Sequence, residues 1–321
     1  MLFWLPMGLW HRLHNPSVYQ GVKKKTDYFE GWYFKLVSHN EEHAIGLIPG
    51  ISLGEDPHAF LQIIDGRAET SHYLRFDVKT FVADPKIFRV RVGPHYFSPN
   101  KVILDSPEVA GELTFRKLVP WNPSFLKPGI MGWYSYVPFM QCYHGLVSMN
   151  HELSGQISLA GVQMDFRGGK GYTEKDWGRS FPRSWIWMQC NHFDRDLSVM
   201  ASVAHIPWLG THFTGFLAVI WINNELKLYT TYTGAKYSAK LHDDGVELEF
   251  SDRTSRLMLY AQKGAGVELR SPLFGNMTGK VSESLTASIK LEYSAKGDKT
   301  VVASGSSAGL EVAGDAEELT K

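Results

Sequence analysis

The sequence predicts an all-β protein built from two antiparallel β-barrel or sandwich domains packed side by side. Three observations lead there. Short runs of alternating apolar and polar residues recur along the chain, as half-buried strands require. Turn formers such as Asp65-Gly66, Gly93-Pro94, Asn223-Asn224 and Asp243-Asp244-Gly245 separate the runs at hairpin spacing. No stretch carries a long helical period, and the runs fall into two sets of roughly seven to ten strands, enough for two closed or nearly closed barrels. The sets meet near residue 165, so the expected domains are 1–165 and 166–321.

The 321 residues suffice for two domains or one large β-domain. Lys plus Arg equals Asp plus Glu at 33 each, which leaves no electrostatic footprint for nucleic acid or an anionic membrane. Only Cys142 and Cys190 occur, without CxxC spacing, so reduced thiols in the cytoplasm are expected. Met1 to Trp10, MLFWLPMGLW, is too short to span a bilayer and lacks the marks of a signal peptide. It is expected to pack on the core, with peripheral contact to a membrane surface as the alternative. Oligomeric state is left open.

In the first half, alternation puts Tyr28, Glu30, Trp32, Phe34 and Leu36 on one face of a strand. A carboxylate inside an aromatic face is costly unless paired or protonated, so Glu30 stands out, with a structural salt bridge as its plainer explanation. The following runs Ala44–Ile51, His58–Ile64, His72–Val78, Phe88–Val92 and Lys101–Leu104 continue the hairpins. In the second of them His58, Phe60, Gln62 and Ile64 share an aromatic and polar face. Pro120 to Cys142 carries four prolines and many aromatics and is expected to lie over a cavity or between domains as a lid-like loop. His144–Leu153 and Gln156–Phe166 read as a hairpin around Ser154-Gly155.

The centre, Gly168 to Phe193, holds Glu174, Lys175 and Asp176 in a row and three of the ten tryptophans. As a strand it presents Tyr172, Glu174 and Asp176 on one face and Thr173, Lys175 and Trp177 on the other. A second alternating run sets Trp185, Trp187, Gln189, Asn191 and Phe193 against a core-like face of Ile186, Met188, Cys190 and His192. Mixed aromatic and amide side chains fit a ligand-cavity wall; the plainer reading is a seam between domains. Beyond it the β-pattern continues, with Ser271 to Ser284 read as irregular and Gly314–Lys321 as a frayed acidic tail.

Nucleotide-loop and HExxH motifs are absent, no metal site is signalled by the scattered histidines, and no cofactor is expected. Gly305-Ser306-Ser307-Ala308-Gly309 matches GxSxG formally but lacks the strand–elbow–helix context that makes its serine a nucleophile.

Two segments carry a resemblance. Tyr28-Phe29-Glu30-Gly31-Trp32-Tyr33-Phe34-Lys35 and the run from Gly169 to Pro182, GKGYTEKDWGRSFP, resemble the tocopherol cyclase family. A wider group of carotenoid hydratases and AttH-like proteins, with a two-domain lipocalin-like fold, is similar in plan, its motif falling on Tyr172, Glu174, Trp177 and Gly178. The resemblance implies a cofactor-free cyclase that protonates the alkene of a prenylated quinol and closes the phenolic oxygen on the cation. It implies Glu174 as general acid, with Lys175 beside it, and His144, Asp176 or Glu30 as proton acceptor. Trp32, Trp185 and Trp187 are the aromatic faces for the cation. Tyr172, Trp177, His58, Gln62, Gln189 and Asn191 complete the expected contacts to a hydrophobic small molecule. A carrier that binds such a ligand unchanged is the alternative, and an ion-pair network of Lys170, Glu174, Lys175 and Asp176 at the domain seam is the alternative for the central charges.

Overall fold

The computed structural model describes residues 7–320 and is almost entirely antiparallel β-structure. Its described residues form a twelve-stranded and an eleven-stranded sheet, each curled around its own apolar core. The expected lipocalin-like, side-by-side architecture is the one observed. Asn223 and Asn224 both take positive φ in the Thr211–Ile222/Glu225–Thr230 hairpin, the twist a two-residue turn needs to match its strands.

Both sheets follow one plan. Tyr28–Val37 opens the first sheet, hairpins lead outward from it, and Lys170–Gly178 returns to pair along its free side. Trp185–Cys190 opens the second, and Val301–Ala313 returns to it in the same way. The return strand of each half then pairs with a long strand, Cys142–Leu159 in the first and Asn276–Ala295 in the second.

Several boundaries differ from expectation. Lys170–Gly178 lies beyond residue 165 yet is a central strand of the first sheet, so the break between sheets falls between Gly178 and Trp185. Ser154-Gly155 is no turn: Cys142–Leu159 runs straight through it, and the reversal comes at Ala160-Gly161, both with positive φ. Ser271 to Ser284 is a tight hairpin about Phe274-Gly275. The acidic tail ends in a short turn of 3-10 helix whose Ala316 and Leu319 are buried and whose Glu318 pairs with Arg183. Met1–Pro6 of the apolar leader lie outside the described residues; Leu9 and Trp10 are exposed, and the Trp10 ring meets His14, Phe125 and Tyr136. No helix among the described residues is long and apolar enough to cross a membrane.

Both faces of Tyr28–Val37 are buried, for different reasons. Trp32, Phe34 and Leu36 fill the first core, whereas Tyr33 and Val37 join a third apolar cluster with Trp187, Met200, Val267 and Leu285 of the second sheet. That third cluster is the seam, and the cavity described next opens in it.

Candidate active site

The face alternation of the central strand separates its charges into two sites. Lys175 points into the first core, where its Nζ lies 2.5 Å from Glu30 Oε1 and both side chains are fully buried. Glu30 also accepts the backbone N–H groups of Gln20 and Gly21, at 2.9 to 3.1 Å, and the Tyr28 hydroxyl. Lys175 donates to the carbonyls of Pro16 (2.9 Å) and Val18 (2.5 Å) and sits 4.7 Å from the ring centres of Trp32 and Trp177. Burial pulls the lysine down to about 8, against the upward pull of Glu30. Four expected site residues, Glu30, Trp32, Lys175 and Trp177, therefore form a clamp on the residue 16–21 lead-in and do not line the cavity. The salt-bridge reading of Glu30 is the one the geometry matches.

Glu174 and Asp176 point the other way, into a cavity of about 200 Å³ between the sheets. Its walls are mostly apolar, and residues of the Pro120–Cys142 segment, including Ile130, Met131, Tyr134 and Met140, close one side, as expected of a lid-like loop. Glu174 Oε2 accepts from the Tyr172 hydroxyl at 2.5 Å and from Trp187 Nε1 at 3.2 Å. The His144 ring bridges the two acids, with Nδ1 3.0 Å from Asp176 Oδ1 and Nε2 3.4 Å from Glu174 Oε2. That Nε2 has no directed hydrogen-bond partner among the described residues. His144 reaches this position because it stands opposite Asp176 in the ladder, just before an irregularity between Leu146 and Ser148 shifts the register.

Burial raises the Glu174 carboxyl, His144 opposes this, Asp176 reinforces it, and the Tyr172 and Trp187 donors oppose it; the balance lies at about 7. For His144, burial acts downward, but Glu174 and then Asp176 outweigh it and hold the ring at about 9. Near neutrality the cluster thus holds a protonated His144 ring beside a Glu174 carboxyl that gives or takes a proton readily. One ligand atom from each of His144, Glu174 and Asp176 falls within 4.8 Å of the others, a spacing that also suits a cation.

Of the remaining expected residues, Gln62, Trp185 and Trp187 line the cavity and Tyr172 touches it through Glu174. His58 does not: Asp56 O and the Tyr73 hydroxyl occupy its two nitrogens. Gln189 accepts from the buried Lys35 at 2.9 Å, and Asn191 donates to Gly171 O and Asn150 Oδ1, so both amides tie the sheets together behind the cavity. Ser307 bonds Arg67 and Glu41, in a strand residue of positive φ, which is no nucleophile elbow.

Among the cavity residues that escaped the sequence, Tyr33, Glu283 and Glu311 stand out. Tyr33 shares the seam-facing side of the first strand, and its hydroxyl donates to Glu283 Oε1. Glu283 and Glu311 stand opposite each other in the second sheet, the topological counterpart of His144 and Asp176 in the first. Trp185 Nε1 donates to Glu311 Oε2 at 2.6 Å. Burial raises both carboxyls, helped for Glu283 chiefly by Glu311 and for Glu311 by Glu174, with the Trp185 donor acting against it; Glu311 comes to about 8 and Glu283 stands well above the ordinary range. The missed signal was Val281-x-Glu283-x-Leu285, an acid on an apolar stripe, the same anomaly that drew notice to Glu30.

Residues 108–314, well over half the chain, match a family model described as tocopherol cyclase-like. The chain belongs to the tocopherol cyclase-like family. Local similarity extends to a probable chloroplastic tocopherol cyclase of Oryza sativa subsp. japonica, 31% identical over 83 residues, or 26% of this chain and 18% of that protein. It extends also to the chloroplastic tocopherol cyclase of Zea mays, 36% identical over 62 residues, or 19% and 13%. The matched stretches thus span less than a fifth of either plant protein. Among solved structures, CghA aligns over 90% of this chain and 89% of its own with a TM-score of 0.57 and 11% identity. CghA with Sch210972 aligns at 0.55 with the same identity and coverage. At that identity the likeness is one of fold.

Proposed function

We propose that this protein cyclises a prenylated quinol, or a closely related phenolic isoprenoid, to a chromanol-type product in the cavity between its sheets. The observation that carries the reading is Glu174: a carboxylic acid buried in an apolar cavity and poised near neutrality beside His144 and Asp176. Alkene protonation needs such an acid, because an ordinary carboxyl has already lost its proton at pH 7.

In the proposed sequence the Glu174 proton adds to the alkene and leaves a tertiary carbocation. The new carboxylate is stabilised by the His144 imidazolium and by the Tyr172 and Trp187 donors already aimed at it. Faces of Trp185, Trp187 and Tyr33 attract the cation. The phenolic oxygen forms the C–O bond, and its proton passes to the Asp176–His144 pair and back to Glu174. Nothing is consumed, so product and substrate have equal mass. The lid-like segment supports the reading by covering one side of the cavity, since water that reached the cation would trap it as an alcohol.

The test is chromatography with mass spectrometry on the protein incubated with a panel of prenylated quinols, beside Glu174→Gln. A chromanol isomer from the wild type alone is expected. Quinol recovered unchanged from a protein that retains it refutes cyclisation and leaves a binding protein; a product heavier by one water means hydration.

A further inference from the structure

The proton circuit of the proposed reaction uses acids of the first sheet. The second sheet carries an acid pair in the same cavity that this circuit leaves idle. Glu283 is 1% exposed; its Oε1 is taken by the Tyr33 hydroxyl, but its Oε2 is buried with no hydrogen-bond partner among the described residues. A buried polar atom left unpaired is destabilising, and native proteins satisfy nearly all of them. Glu283 is one of the residues that line the cavity, so the unpaired oxygen lies at its wall. Tyr33 fixes its orientation, since the Tyr33 ring packs edge-on to Trp187 at 5.5 Å and both belong to the seam cluster. Trp187 in turn bonds Glu174, so a short chain of contacts, Glu174–Trp187–Tyr33–Glu283, links the two acids.

We infer that Glu283, held by Tyr33, is a recognition site for a second ring oxygen of the substrate, the hydroxyl that does not cyclise. The inference rests on the cyclisation reading for the class of ligand. It adds why the ligand is a quinol and not a simple phenol. A quinol has oxygens on opposite edges of one ring, and the cavity offers acids from both sheets with the aromatic side chains of Trp187 and Tyr33 linking them. One oxygen meets the Glu174–His144–Asp176 cluster, where the ring closes. The other meets Glu283 Oε2, which donates to it as a carboxylic acid. Glu311 lies across the ladder from Glu283, bonded to Trp185, and disfavours loss of the Glu283 proton. A site that hydrogen-bonds a substrate hydroxyl discriminates strongly against an analogue without it, because its own polar group is then stranded.

Binding separates this inference from the chemistry. Two ligands with saturated side chains, which cannot cyclise, are compared by quenching of tryptophan fluorescence: a prenylquinol, and the same molecule lacking the hydroxyl para to the closing one. The wild type is expected to prefer the quinol by about 10- to 100-fold. Glu283→Leu is expected to level the two, and Glu283→Gln, which keeps a hydrogen-bonding group of the same shape, to retain most of the preference. Equal affinity of the two ligands for the wild type overturns the inference, as does a preference that survives Glu283→Leu. Binding of neither ligand overturns it together with the ligand class on which it rests. With alkene-bearing substrates, Glu283→Leu should raise KM for the quinol more than it lowers kcat. A loss confined to kcat, equal for both substrates, would make Glu283 part of the proton circuit and refute a recognition role.

Discussion

Replacing Lys175 by methionine tests the division of the central strand into two sites. The substitution keeps most of the side-chain volume and removes the charge. Glu30 is then left fully buried without its cation, a loss that in comparable buried pairs costs about 3–5 kcal/mol. Two features of the surroundings modify this. The Gln20 and Gly21 amides and the Tyr28 hydroxyl still hold the carboxylate, which moves the cost toward the lower end. The Pro16 and Val18 carbonyls lose a charged donor, and Trp32 and Trp177 lose a cation between their rings, which moves it back up. We expect about 4 kcal/mol in urea unfolding, with the slope unchanged. Because charge stranding is the cause, the double variant Glu30→Gln, Lys175→Met should be more stable than the single one. A single variant within about 1 kcal/mol of wild type would refute the argument, and so would a double variant that shows the two single costs simply added.

The remaining predictions concern the cavity. Turnover requires Glu174 in its acid form, so the rate should fall as pH rises through about 7. Trp187→Phe removes a donor that favours the anion, and the falling limb of the pH–rate profile should move to higher pH; a shift the other way would refute the assigned contact. His144 holds its proton more tightly folded, at about 9, than at its unperturbed 6.5, so its contribution to stability is complete below 6.5 and lost as pH rises through 9. Unfolding titrations at pH 6 and pH 9.5 should show this loss, and His144→Asn should flatten it.

Alternation alone made the two-sheet fold legible, because a strand packed on one side writes its face into every second residue. It also separated Glu174 and Asp176 from Lys175 correctly. It failed where both sides of a strand are buried. In Tyr28–Val37 the apolar pattern cannot say which face meets its own core and which meets the other sheet, and the sequence reading favoured Trp32 over Tyr33. Glu283 was hidden for another reason: its neighbours Ser282 and Ser284 resemble a turn, and the segment is a strand through pairing with Gly266–Leu273 on one side and Val301–Ala313 on the other. The clamp formed by Glu30 and Lys175 shows how a conspicuous buried charge can belong to architecture, since alternation gives facing but not the partner that arrives from elsewhere in the chain.

The way each sheet closes has a consequence for how the chain is made. Tyr28–Val37 is synthesised early, yet its neighbour on one side, Lys170–Gly178, emerges only after all the other strands of that sheet. Through most of translation this apolar strand presents an open edge of unpaired N–H and C=O groups, the feature that invites pairing between chains. Trp185–Cys190 waits in the same way for Val301–Ala313. The strand that finishes the first sheet is also the one that delivers Glu174 and Asp176, so the acid cluster is assembled in the same late insertion that seals the edge. Such long-range pairing is slow and leaves intermediates prone to aggregation. Substitutions in Lys170–Gly178 should therefore register first in the yield of folded protein from the ribosome, before any effect on the finished molecule is measured.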